Sequence, residues 1–158
     1  MPFNLELCMY YVGQLFLFPT LLLISFLFVY AFIALGQFAI LSLRRRSGNA
    51  RPLVAYEKAN PSASDDELDL YAHKLLEFPR IASRVTPMLG LVATMIPMGP
   101  ALKSLSDGNF ADVSNNLSIA FSAVILALIS ASITYYIANV RRRWLAEELI
   151  EIAQKRGK

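Results

Sequence analysis

The sequence predicts an all-α membrane protein with three transmembrane helices and long cytoplasmic extensions. Three observations lead there. Of the 158 residues, 56% are hydrophobic, whereas a soluble domain of this length carries a mixed surface. Leu7–Leu43, Val85–Leu102 and Val113–Val140 contain no charged residue, and each reaches the roughly 18 residues that span a bilayer as a helix. Arginines crowd one end of each run: Arg44, Arg45 and Arg46 after the first, Arg80 and Arg84 before the second, and Arg141, Arg142 and Arg143 after the third. With three spans these flanks share one side. Of 15 Lys and Arg, only Lys103 falls on the other. The positive-inside rule then places the N-terminus outside and the C-terminus in the cytoplasm of a cell membrane. The net charge of +3 belongs to the membrane flanks, so the surrounding partner is the lipid bilayer and no nucleic acid is expected.

Residues 1–43 read as an outer interfacial segment followed by the first span. The acidic start (Glu6) and the long apolar run argue against a cleaved signal peptide. As a helix the run would measure ~55 Å, against a hydrocarbon core of about 30 Å. Pro19 is the expected break, leaving residues 4–17 at the outer interface with Tyr10 and Tyr11 as anchors.

Residues 44–82 read as a cytoplasmic loop with a short helix. "RRRSGNARPLVAYEKANPSA" has loop chemistry. Ser64 followed by Asp65, Asp66 and Glu67 is a helix start with a capping box. Leu68, Tyr71, Leu75 and Phe78 then recur at helical spacing, and Pro79 ends or bends the helix. The second span is expected over 83–105, the outer loop over 106–114, the third span over 115–140 and a helical tail over 141–158. No Gly or Pro interrupts Asp112–Arg156, so the third span and the tail should form one helix. In the tail, Trp144, Leu145, Leu149 and Ile152 share one side and Glu147, Glu148 and Glu151 the other. Such a helix packs on copies of itself, on the loop helix, or on lipid headgroups.

The chemistry is sparse. Cys8 and His73 are the only residues of their kinds, so no disulfide, cysteine-based metal site or cofactor is expected. None of the three apolar runs holds a charged residue, which excludes a proton relay through this chain's own carboxylate. No nucleophile–base pair or phosphate loop is present, so the chain is not expected to be an enzyme. What remains is geometry. Ala120, Ala123, Ala127, Ser130, Ala131, Thr134 and Ala138 fall on one face of the third span, a seam for close helix packing. Ser118, Ser122, Ser132 and Tyr136 form a hydroxyl stripe on roughly the opposite face, although serines in such helices also serve only to bond the preceding turn. In the second span, "LGLVATMIPMGPAL" (residues 89–102) carries Pro97 and Pro100, which leave the carbonyls of Ala93 and Ile96 without their helical donors. Unsatisfied carbonyls are costly in lipid. The face of Pro87, Gly90, Thr94, Pro97 and Ala101 should therefore meet a neighbouring helix or a wet cavity; alternatively the helix is simply kinked and Thr94 patches its own backbone.

"RVTPMLGLVATMIPMGPAL" resembles the "APLLGLLGTVxGM" segment of the MotA/TolQ/ExbB proton-channel family. "LSIAFSAVILALISASITYYIANVRRR" resembles that family's third span. The motifs cover about residues 80–145, and the order of parts matches along the chain; the "IPMGPAL" variant is most like short archaeal and related bacterial members. The resemblance implies a homo-pentamer around a central pore. The pore would hold the single spans of an ExbD/TolR/MotB-like dimer whose membrane aspartate carries the proton. The family's second-span threonine falls on Thr94. With Tyr136 and Arg141 aligned, its third-span pore threonine falls on Ser122 and the preceding position on Phe121. The glutamate of ExbB and TolQ members falls on Leu117, and the family's third-span glycine and proline fall on Ile125 and Ala131.

The expected function is thus an ion channel or stator subunit, most simply for protons, of a motor driven by proton-motive force. The expected pore and proton-path residues are Thr94, Ser122, Pro97, Gly90 and Ser118, and the packing residues are Ala123, Ala127 and Ala131. The alternative is a non-conducting oligomeric scaffold that anchors a partner. A transporter in its own right would call for an internal repeat or a charged site, and the sequence has neither.

Overall fold

The computed structural model describes residues 5–157, apart from the side chain of Glu6. The described residues form four helices: α1 (Leu5–Arg46), α2 (Pro52–Ala59), α3 (Asp65–Ser106) and α4 (Phe110–Arg156). Three of them, α1, α3 and α4, are long and apolar enough to cross a membrane.

The break expected at Pro19 is absent, and Pro79, expected to end or bend its helix, does not end it. α1 continues through Pro19, and α3 runs through Pro79 without ending, so the loop helix and the second span are one helix. A proline removes one backbone bond, and a long helix survives that loss through its remaining bonds and its packing. Pro19 leaves the Leu15 carbonyl without its helical donor, while the buried Thr20 hydroxyl adds a bond to the neighbouring carbonyl of Phe16 at 2.6 Å. Pro79 likewise frees the Leu75 carbonyl; the Ser83 hydroxyl donates to a different one, that of Arg80, at 2.8 Å. Pro79 is itself buried, so its ring contributes packing. As the uninterrupted sequence leads one to expect, α4 is a single helix through the third apolar run and the tail.

The chain divides into two compact units. Unit 1 comprises Met1–Ala31 and Arg84–Ala131; unit 2 comprises Phe32–Ser83 and Ser132–Lys158. The core of unit 1 is Ile24 of α1, Ala93 of α3, and Ala123 and Ala127 of α4, flanked by Leu21, Leu89 and Leu126. Small residues dominate because three backbones meet closely. A Cβ placed on Gly90 would stand 2.8 Å from the Cβ of Ala127.

The core of unit 2 is Leu53, Leu68, Ala72, Leu76, Leu145 and Ile152, with Tyr71, Leu75 and Leu149 packed on it. The α4 tail thus packs on α3 and on α2. The latter is a helix in a stretch whose composition reads as loop. Pro52 opens it at a position where the missing N–H costs nothing, and Leu53 is fully buried. Its own N-cap, Arg51, supplies no side-chain bond. Glu148 of α4 takes that role, accepting from the Leu53 N–H at 3.0 Å and from Arg45 at 2.7 Å. Glu148 is only 1% exposed, which corrects its expected place on the polar face of the tail. Arg45 also reaches Glu147 at 3.2 Å and lies over the ring of Trp144, which stacks on Phe38.

At the far end of this unit, Arg156 bridges Glu57 and Asp65, and Glu151 meets Arg51 and Lys155. The Lys155 ammonium holds the Glu151 carboxyl below its ordinary range against an opposing push from desolvation, with Arg51 assisting. Its ion pairs therefore contribute above the ordinary carboxyl value and fade as pH falls through the lowered one.

α3 begins with a reciprocal capping box. The Glu67 N–H donates to the Ser64 hydroxyl at 3.2 Å, and the Ser64 N–H donates to the Glu67 carboxylate at 3.1 Å. Ser64→Ala should lower stability by about 1 kcal/mol, read from thermal unfolding in detergent. An unchanged midpoint would mean that packing alone starts the helix.

Candidate functional site

The hydroxyls of unit 1 lie on two surfaces. On α4, Ser118 and Ser122 are both exposed, and with Ile119, Ala123 and Leu126 they line an open groove of about 330 Å³. Leu21, Ile24 and Ser25 of α1 form its other wall. Thr94 of α3 does not line this groove; it is half-buried elsewhere in the unit. The structure therefore brings Ser118 and Ser122 together and adds Ser25. Sequence reasoning passed over Ser25 as one hydroxyl in a long apolar run.

Three of these hydroxyls, on Ser122, Ser25 and Thr94, share one electronic arrangement. Ser122 donates to the Ser118 carbonyl at 2.8 Å, Ser25 to the Leu21 carbonyl at 2.9 Å and Thr94 to the Leu91 carbonyl at 2.7 Å. Each spends its single proton on its own helix. What each offers outward is an oxygen with lone pairs. Such oxygens can accept from water, from a protonated carboxyl group or from a hydrated proton, and they can coordinate a small cation. They cannot themselves hold or release a proton at neutral pH.

The face of α3 expected to meet a neighbour or a wet cavity is largely filled from within the chain. Gly90 is buried beneath Val124 and Ala127. Pro97 and Ala101 are buried too, while Pro87 and Thr94 are half-buried. On α4, Ala120, Ala123, Ala127, Ser130, Ala131 and Thr134 are buried, and Ala123 and Ala127 belong to the unit's core. Gly90 and Pro97 thus sit in packed surroundings, and Thr94 lies at their margin.

The carbonyl of Ile96, which Pro100 deprives of its helical donor, accepts instead from the side-chain amide of Gln14 at 3.3 Å. Gln14 is half-buried on α1. It is a functional candidate that the sequence concealed. The signal was present as an amide in a charge-free run, but pairing it with Ile96 requires knowing that α1 and α3 are neighbours.

The positions aligned with departures from the family pattern are apolar, and Ala131 among them is buried. Phe121 and Ile125 are exposed, and Leu117 is half-buried. The described residues supply no acidic side chain in the Ser118–Ser122 groove.

A family model described as the MotA/TolQ/ExbB proton channel family matches residues 57–154. Searches of curated proteins and of solved structures gave no match.

Proposed function

Because the chain belongs to the MotA/TolQ/ExbB proton channel family, we propose that it is the channel or stator subunit of a motor in a cell membrane, with its N-terminus outside. In this reading several copies, most simply five, form a ring. The ring surrounds the single spans of an ExbD/TolR/MotB-like dimer, and that partner supplies the aspartate that binds the proton. Proton flow would then be converted into mechanical work by the partner's movement.

The observation that carries this reading is the combination of the family match with charge-free spans whose outward chemistry is hydroxyl acceptors. A carboxyl group protonated in a low-dielectric pore needs an acceptor for its O–H, and its ionised form needs water held nearby. Thr94, Ser118 and Ser122 can provide the first and anchor the second. Gly90 and Pro97, being packed, act behind that surface by setting the position of α3. Ala123, Ala127 and Ala131 act as the packing seam.

The variant Thr94→Val with Ser122→Ala removes two acceptors while nearly preserving volume. It should reduce proton flux in the presence of the partner by tenfold or more, about 1.4 kcal/mol on the barrier, with assembly unchanged in native mass. Normal flux in the assembled variant would favour a non-conducting scaffold, or a path that avoids both residues.

A further inference from the structure

We propose that the arginines bordering the spans in unit 2, namely Arg44, Arg46, Arg80, Arg141 and Arg142, form a binding site for the phosphate of anionic phospholipids. The packing brings them to one level. Arg141 lines the same small pocket as Leu41 and Arg45 of α1, beside Arg44 and Arg46. On the other flank α3 and α4 run antiparallel. Asp65 pairs with Arg156 at 2.7 Å, and Leu76 shares a buried cluster with Leu145. Arg80 lies about one turn beyond Leu76 and Arg141 about one turn before Leu145, so these two also stand at matching heights.

Most of the unit's carboxylates near the helix ends are committed elsewhere. Glu148 serves Arg45, Glu147 serves Arg45 and Arg143, Glu151 serves Arg51 and Lys155, and Glu57 and Asp65 serve Arg156. Among the described residues, none of the five arginines has a carboxylate partner. Glu77, near Arg80 on α3, is the nearby acid outside these pairs. Arg44, Arg46 and Arg142 are exposed, and Arg80 and Arg141 half-exposed. A guanidinium offers a planar fork that matches phosphate oxygens.

The surroundings select a lipid over a soluble anion. Ile40 and Leu43 stand exposed beside Arg44, Ile81 beside Arg80, and Tyr135 and Tyr136 one to two turns before Arg141. Arg44 and Arg80 therefore border bare apolar surface, which acyl chains cover while the phosphate meets the arginine. This inference needs only that the chain spans a membrane. It stands or falls separately from proton conduction.

The test is native mass spectrometry of the full-length protein extracted from bilayers containing equal phosphatidylglycerol and phosphatidylcholine with matched acyl chains. Phosphatidylglycerol should be retained in about fivefold excess or more. Arg44→Gln with Arg46→Gln, and separately Arg141→Gln with Arg142→Gln, should each at least halve that excess. Lys58→Gln with Lys74→Gln, which keeps the arginines, should leave it unchanged. Equal retention of the two lipids by the unmodified chain would overturn the proposal without any variant. So would an equal loss in the lysine variant, or displacement of phosphatidylglycerol by excess inorganic phosphate.

Discussion

Glu148→Ala should be among the most destabilising single substitutions in the tail, costing about 3–5 kcal/mol. The carboxylate is buried and holds two donors, the Arg45 guanidinium and the Leu53 N–H. Removing it leaves Arg45, mostly withdrawn from water, with only the exposed Glu147 as a charged partner. It also leaves α2 without a cap from either side, since Arg51 provides none. The loss should concentrate in unit 2, with α2 released first and the Gly48–Arg51 connection becoming open to protease. Two further variants separate charge from capping. Glu148→Gln keeps an acceptor for the Leu53 N–H and should lose less than alanine. Arg45→Met combined with Glu148→Leu removes both buried charges and should be milder than Glu148→Ala alone, because no unpaired ion remains. Thermal unfolding in detergent with limited proteolysis checks all three. A Glu148→Ala midpoint within error of the parent would contradict the account of this latch.

Gly90 should be the least replaceable position in unit 1. With the Ala127 Cβ only 2.8 Å from where a new Cβ would stand, even Gly90→Ala forces α3 and α4 apart. Overpacking of this kind costs about 1–3 kcal/mol, and Gly90→Leu should exceed that and prevent assembly. The pair Gly90→Ala with Ala127→Gly returns the lost space and should recover part of the stability, despite the helix penalty of the new glycine. Lack of any recovery would mean that the contact with Ala127 does not limit the site. Movement of α3 would also displace Thr94, one turn along the same helix, so proton flux should fall with stability in this series.

Much of the fold was legible because long charge-free runs, basic flanks and the Ser64–Glu67 cap are local signals. The Pro19 and Pro79 positions misled because proline's cost is set in water and in isolation. Here each helix loses one bond among many and continues through its proline. α2 was hidden because its start depends on a carboxylate far away in sequence.

The face of α3 illustrates a deeper limit. Helical spacing placed Gly90, Thr94 and Pro97 together and showed that they should not face lipid. It could not tell a neighbouring helix of the same chain from a pore, and at Gly90 the neighbours are Ala127 and Val124 of α4. The two prolines in "IPMGPAL" likewise indicated freed carbonyls, but only the three-dimensional neighbours reveal that Gln14 answers the one on Ile96.

The central claim is that this chain conducts protons only in company with an acid it does not itself carry. Proton flux into liposomes measures it directly, with the chain reconstituted alone, with the proposed single-span partner, and with the proposed membrane aspartate of that partner changed to asparagine. The account predicts flux with the intact partner and background in the other two. Flux from the chain alone, undiminished flux with the asparagine partner, or no flux from the intact complex would contradict it.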